Sequence, residues 1–403
     1  MATRALGKRL REEIENDDLD GILRDVKRRC ATEFKGHVPT SPVGVKVIDD
    51  MLRIFHRPPA PRPGVPDRHK VLEITGPRYG SGGGKTSLLY YITAIGILPT
   101  AFNGVQLGGR DGAVVFLDSD NRFSAARLRD IAMNYVREKK RKKREEKENA
   151  GAPPRKRLRE EETELRRMVE GCLQHVHVFK PTSSDSLLAT LKTIESYLLD
   201  PTKHHSAHKR LHSIILDSST SFHRQDKRQA FIDSLPTEVP KFIYAELPPL
   251  YQIVHSARGI VRCLRELQHR FACPVIYTVT GKARGDLWKP KPSGFGMPIA
   301  SLYARPRIMS FMHRLPHPWR SYSTVRLVVR RDRVRQFSGA SVREAMRQGR
   351  QRRSVVAQGR ISAWIDPWGK EDWPSWISPS IQKLDGGGRF TYFVHKLGVT
   401  LKE

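Results

Sequence analysis

A twelve-residue stretch, GPRYGSGGGKTS (76–87), gathers the residue types that hold phosphate. Gly76, Gly80, Gly82, Gly83 and Gly84 let the backbone turn its N–H groups onto an anion, and a following helix would add the positive end of its dipole. Lys85 is placed to reach the β- and γ-phosphates of a nucleotide; the hydroxyl of Thr86, with Ser87 after it, is placed to hold Mg²⁺. The spacing differs from the common G-x-x-x-x-G-K-S/T. Five positions before Gly84 stands Tyr79, and Gly76-Pro77 opens a loop about three residues longer than that pattern. Nucleotide binding is expected, and the longer loop leaves hydrolysis open.

Two apolar runs end in acids that suit such a site. IILDSS (214–219) places Asp217 where a carboxylate holds Mg²⁺ through water, although an Asp closing a strand also serves as a turn or cap residue. LDSDNRF (117–123) carries Asp118 and Asp120 two residues apart, so in an extended strand they share a face. One of them would orient or deprotonate an attacking water; the alternative is a solvated loop capping the next helix. Thr278 and Thr280 of YTVTG (277–281) are weaker candidates for sensing the terminal phosphate.

The elements that must position these residues follow from the apolar pattern. Strands are predicted over 71–75, 114–118, 176–180, 213–217 and 274–280, and helices over 86–98, 124–136, 184–199 and 250–271. Near-continuous apolar strands alternating with helices mark a mainly parallel sheet covered on both faces, an α/β fold. Residues 1–25 read as a charged helix, and PRPGVPD (61–67) as a Pro-rich linker. Residues 137–167 are almost purely charged around a Pro-Pro break and are expected to be a flexible or frayed-helical insertion. The Arg-rich stretch 330–360 is expected to be a second mobile insertion, before a final β segment ending in RFTYFVHKLGV.

Composition bounds the partners. The 403 residues carry 72 Lys plus Arg against 42 Asp plus Glu, a formal charge of +30, which favours polyanions such as nucleic acid. The chain contains no apolar run of about 18 residues, which excludes a spanning helix, and its first residues lack the apolar core of a secretory signal. Its 4 cysteines include no Cys-x-x-Cys pair, which excludes a disulfide scaffold and favours a reducing compartment. KKRKKR (139–144) and PPRKRLR (153–159) suit bipartite nuclear import or, equally, a solvated charged helix. The Arg-rich 343–353 segment would neutralise phosphates without reading sequence. KARGDLWKPKPSGFG (282–296) mixes Lys282, Arg284, Lys289 and Lys291 with Trp288, the chemistry that single-stranded nucleic acid needs, or is a plain exposed loop. Trp364, Trp368, Trp373 and Trp376 are expected to pack on the core or a partner, and His204, His205, His208 and His212 to be solvated.

LEITGP…GGGKTSLLYYITAIGILP, VVFLDSDNRFSAARL and IILDSSTSF together resemble the ATPase core of the RecA-like recombinases, in the eukaryotic recombinase-paralogue branch. The ILP after the first helix and the D-x-D in place of the recombinases' Asp-Thr-Glu point to that branch. The resemblance covers roughly 45–135 and 170–330, and GVKVIDDML (44–52) is similar to the segment that precedes the core. It implies an N-terminal helical extension (1–43) with no room for the recombinases' helical DNA-binding domain, a RecA-like P-loop ATPase core (44–330) with a disordered basic insertion (137–167), and an Arg-rich, β-rich C-terminal part (331–403). It further implies a nuclear protein that binds ATP and Mg²⁺ through Lys85, Thr86 and Asp217, with Asp120 where the recombinases carry their catalytic glutamate. The implied work is homologous recombination, with other paralogues, the recombinase filament and single-stranded or branched DNA as partners. A DNA-stimulated ATPase and a non-hydrolysing adaptor subunit both fit; a small P-loop kinase with an Arg-rich lid is a third possibility.

Overall fold

The computed structural model describes residues 42–55, 70–77, 83–148, 158–233, 249–284, 310–312, 315–332, 334, 341–367 and 373–401. The chain divides into Met1–Pro42 and Val43–Glu403, and every described element belongs to the second unit. The charged helix expected over 1–25 and the linker over 61–67 lie outside the described residues.

β1 (Val71–Pro77) is the axis of the sheet. It pairs in parallel with β7 (Val275–Arg284) on one side and β9 (Val325–Arg331) on the other. Beyond β7 lie β6 (Leu211–Asp217), β4 (Ala113–Asp118) and β5 (Val176–Phe179), all parallel. Beyond β9 the direction reverses: β10 (Arg360–Ile365), β11 (Arg389–Val394) and β12 (Val399–Leu401) pair antiparallel. β2 (Ala101–Phe102) and β3 (Val105–Gln106) form a separate hairpin, and β8 (Ser310–Met312) pairs with the end of β7. The fold is α/β with a large, mostly parallel sheet.

Helices cover both faces because the strands are apolar on both. On one side lie α1 (Lys46–Phe55), α2 (Lys85–Ile97), α3 (Ala125–Glu148) and α4 (Leu158–Leu173), which bury Ile48, Leu88, Ile92, Ile131, Val136 and Val169. The other holds α5 (Ser184–Leu199), α7 (Pro249–Phe271) and the short α8 (His317–Arg320), with Leu191, Leu264 and Trp319 inward. α6 (His223–Asp233) precedes α7. Every residue of α2 from Leu88 to Ile97 is buried, so the helix after β1 is clamped along its length; each large apolar side chain there contributes about 2 kcal/mol. α1 is tied down at its start, where the Asp49 carboxylate accepts the Val43 and Gly44 N–H groups at 2.8 and 3.0 Å.

Two charged stretches contain regular structure, helical in the first as one of its two readings allowed and unlike the insertion expected in the second. α3 does not stop near Val136 but continues through KKRKKR to Glu148, and α4 begins at Leu158, leaving 149–157 outside the described residues. Straight-chain residues favour helix, and the charges find partners. Arg141 meets Glu145 at 3.1 Å, Arg144 meets Glu161 at 2.8 Å, Arg137 pairs with Glu162, and the Lys140 amine sits 5.0 Å from the Phe102 ring. Within 330–360 the chain completes β9, forms helix α9 (Val342–Ala357) and enters β10, so much of this stretch is regular structure. A last short helix, α10 (Ile377–Gln382), precedes β11.

Candidate functional site

β1 ends at Pro77 and α2 opens at Lys85, so the Gly-rich turn is anchored at both ends by buried elements. Gly84, just before α2, has φ +74°, the left-handed conformation that glycine adopts freely. At Gly76 a methyl group would come within 3.3 Å of the Lys85 Nζ, so the lysine folds back over the strand end where glycine leaves space. Gly80 and Gly82 lie outside the described residues. Gly83, Gly84, Lys85, Thr86 and Ser87 line a cavity of about 420 Å³.

Opposite α2, the strand ends supply carboxylates. Thr86 Oγ1 donates to Asp217 Oδ2 at 2.6 Å, and the Thr278 hydroxyl donates to the other oxygen. Burial raises the Asp217 carboxyl above its usual value, and the two hydroxyls and Lys85 act against that shift. Burial likewise lowers the Lys85 ammonium, opposed by the negative charges of Asp217 and Asp120. Burial disfavours the charged form of each group, and an added ligand of opposite charge would offset that desolvation. A divalent cation would find hard oxygens in the Thr86 hydroxyl and the Asp217 carboxylate; phosphate would find the α2 N-terminus and Lys85.

Asp118 and Asp120 do not share a strand face, because β4 ends between them. β4 ends at Asp118, whose buried carboxylate accepts the N–H groups of Arg122 and Phe123 at 3.0 and 2.8 Å and so fixes the turn. Asp118 is a turn residue. Asp120 is exposed, accepts the Ser221 hydroxyl and lines the cavity. Thr280 lines the cavity too, whereas the Thr278 hydroxyl is spent on Asp217.

Six cavity residues escaped the sequence reading: Arg122, Ser218, Arg331, Gly359, Ile361 and Val394. Arg122 follows the Asp118 turn. Ser218 follows Asp217, whereas Arg331 of β9, Gly359 just before β10, Ile361 of β10 and Val394 of β11 reach the cavity only when the C-terminal strands join the sheet. The signal for β9 was VRLVVRR (325–331), an apolar run broken by Arg326, whose guanidinium meets the buried Glu73 of β1 at 3.3 Å.

Of the candidate DNA-binding residues, Lys282 and Arg284 lie in the last turns of the β7 ladder, opposite Met312 and Ser310 of β8. Their strand is parallel to β1, so they stand at the cavity end of the sheet. Trp288, Lys289 and Lys291 lie outside the described residues. Trp364 is buried, Trp373 packs edge-on against Phe55 with ring centres 5.2 Å apart, and Trp376 is 42% exposed. The histidine run is not uniformly solvated: His212 is buried on β6, and His204 reaches the carbonyls of Tyr197 and Leu198. No helix among the described residues is long and apolar enough to cross a membrane.

Comparison with known proteins finds relatives of the kind that the motifs resemble. The human protein named DNA repair protein RAD51 homolog 2 (Homo sapiens) is 27% identical over 208 residues, 52% of this chain and 40% of that protein. Its mouse counterpart (Mus musculus) is 43% identical over 62 residues, 15% of each chain. DNA repair protein XRCC2 homolog of Arabidopsis thaliana is 24% identical over 278 residues, 65% of this chain and 68% of the relative. The chain therefore spans less than half of the human relative's length. No protein-family model matches. The chain is similar to the recombinase paralogues, as its motifs indicated.

Proposed function

We propose that this recombinase-paralogue-like chain has a RecA-like core that binds Mg-ATP in the cavity between β1, α2 and the C-terminal strands. In this reading it acts in double-strand break repair by homologous recombination. The observation that carries the nucleotide reading is the bond from Thr86 to Asp217, which joins the helix after the Gly-rich turn to the acid ending β6, with Lys85 beside them. The similarity to proteins named for DNA repair supports the cellular role. Bound Mg-ATP would supply the triphosphate charge that offsets the desolvated Lys85 ammonium. Gly76, Gly83, Gly84 and Ser87 line its cradle, Lys85 meets its phosphates, and Thr86 and Asp217 hold the metal. Support of recombinase filaments on single-stranded or branched DNA, in the nucleus and in company with other paralogues, completes the reading. Lys282, Arg284, Trp288, Lys289 and Lys291 are its candidate DNA contacts.

Asp120 carries the water-activating role in the hydrolysing version. Its carboxylate is one methylene shorter than a glutamate and already accepts the Ser221 hydroxyl, an observation that favours the second version, a nucleotide-stabilised adaptor that turns ATP over slowly or not at all. Mg-ATP binding and hydrolysis by the purified chain, with and without single-stranded DNA and beside Lys85→Ala, separate the two. DNA-stimulated turnover lost in the variant establishes the ATPase. Binding without turnover establishes the adaptor, and no binding by the wild type refutes the nucleotide site.

A further inference from the structure

α9 leaves and rejoins the sheet at the rim of the cavity. β9 delivers Arg331 to the cavity before the helix, and Gly359, just after it, lines the cavity again. Between them runs VREAMRQGRQRRSVVA, with five arginines, one glutamate and no lysine. Val342 is 73% and Met346 76% exposed, and Arg343 and Arg353 are exposed as well. Among the described side chains of this helix Val342, Arg343, Met346, Arg353, Ser354 and Val356 are exposed, so they gain little from packing, and five like charges within sixteen residues favour a polyanion as neighbour. The planar guanidinium forks suit phosphodiester oxygens, which they grip in pairs.

A hydrogen bond ties this helix to the cavity. The Arg331 Nη2 donates to the carbonyl of Val356, in the last turn of α9, at 3.2 Å. A cation there caps the helix C-terminus. Among the described residues Arg331 has no carboxylate partner, so its remaining donors are available to the cavity. A phosphate entering the cavity is a stronger acceptor than a neutral carbonyl and would draw the guanidinium from Val356.

We infer that α9 is a docking surface for the phosphodiester backbone of single-stranded nucleic acid, and that Arg331 links its grip to occupancy of the cavity. The link rests on the nucleotide reading above; the surface does not. The test is a salt titration of the full chain binding a fluorescent thymidine oligonucleotide, with and without a non-hydrolysable Mg-ATP analogue.

In R343Q/R353Q the slope of log affinity against log salt falls by about 1.4, at about 0.7 per lost single-strand contact, while nucleotide binding and melting temperature hold. R343K/R353K keeps the slope. In the wild type the analogue changes oligonucleotide affinity about fivefold or more, and in R331Q that response vanishes. An unchanged slope in R343Q/R353Q overturns the surface, as does a loss confined to phosphatidylserine vesicles with oligonucleotide binding intact. A wild-type nucleotide response in R331Q overturns the link. Should Lys85→Ala bind the analogue as the wild type does, the nucleotide reading and the link fall together, and the slope still decides the surface.

Discussion

The Cδ1 of Ile361 stands 2.1 Å from the point where a methyl group on Gly84 would lie, so the turn before α2 is pressed against strand β10. Gly84 also has φ +74°, which penalises any side chain. Gly84→Ala is therefore expected to destabilise the fold by about 2–4 kcal/mol through overpacking and strain. It should also reshape the cavity at the helix N-terminus. Urea unfolding measures the first effect. A midpoint equal to wild type would show that β10 yields without cost.

Metal dependence should follow the protonation of Asp217. A carboxylate must be ionised to hold a cation, and burial raises this one above the ordinary range. Mg²⁺-dependent nucleotide binding should thus fade as pH drops through that raised value, at a higher pH than an exposed aspartate would give. Calorimetric titrations across a pH series, beside Asp217→Asn, check this. The variant should bind weakly at every pH, with the slope gone.

His212 makes the fold acid-sensitive. Burial first, then the charges of Arg110 and Arg210, push its imidazole down to about 4. A group whose folded value lies below its unfolded one stabilises above the unfolded value and loses that contribution as pH falls. Between pH 7 and 4, His212 alone should remove about 3 kcal/mol, an order-of-magnitude figure. Denaturation midpoints for wild type and His212→Gln at both pH values test it; parallel losses in the two proteins would exclude His212 as the cause.

Tyr392 carries its hydroxyl into the interior with no hydrogen-bond partner among the described residues, 2.8 Å from the same Gly84 position. Removing a buried, unpaired polar group relieves its desolvation. Tyr392→Phe should raise stability by about 1 kcal/mol. A lower melting temperature in the variant would show that the hydroxyl is satisfied in solution.

The parallel half of the sheet was readable because its strands are buried on both faces and appear as unbroken apolar runs: VVFLD, SIILD and PVIYTVT correspond to β4, β6 and β7. Lys85, Thr86 and Asp217 were readable for the same reason, since each sits where such an element begins or ends. The C-terminal half hid behind charge. Arg326 looks like a surface residue until its pairing with buried Glu73 is known, and the arginines of α9 separate two strands that are neighbours in space. Local pattern also could not tell that the Asp118 carboxylate turns back onto Arg122 and Phe123, because that depends on where β4 stops. Nor does the histidine run reveal that His212 faces inward while His205 and His208 are exposed.

One wall of the cavity is made of β1 and α2, and the facing wall takes Ile361 from β10 and Val394 from β11. During synthesis the ribosome releases the first wall long before the second. At about 5–20 residues per second, the nascent chain waits tens of seconds with the Gly84 turn uncovered. Closing so distant a pairing is slow compared with forming a local helix, so the cavity is expected to be among the last parts of the molecule to mature. A ribosome that stops within α9 would release a chain bearing the Gly-rich turn and Asp217 but no wall to face them.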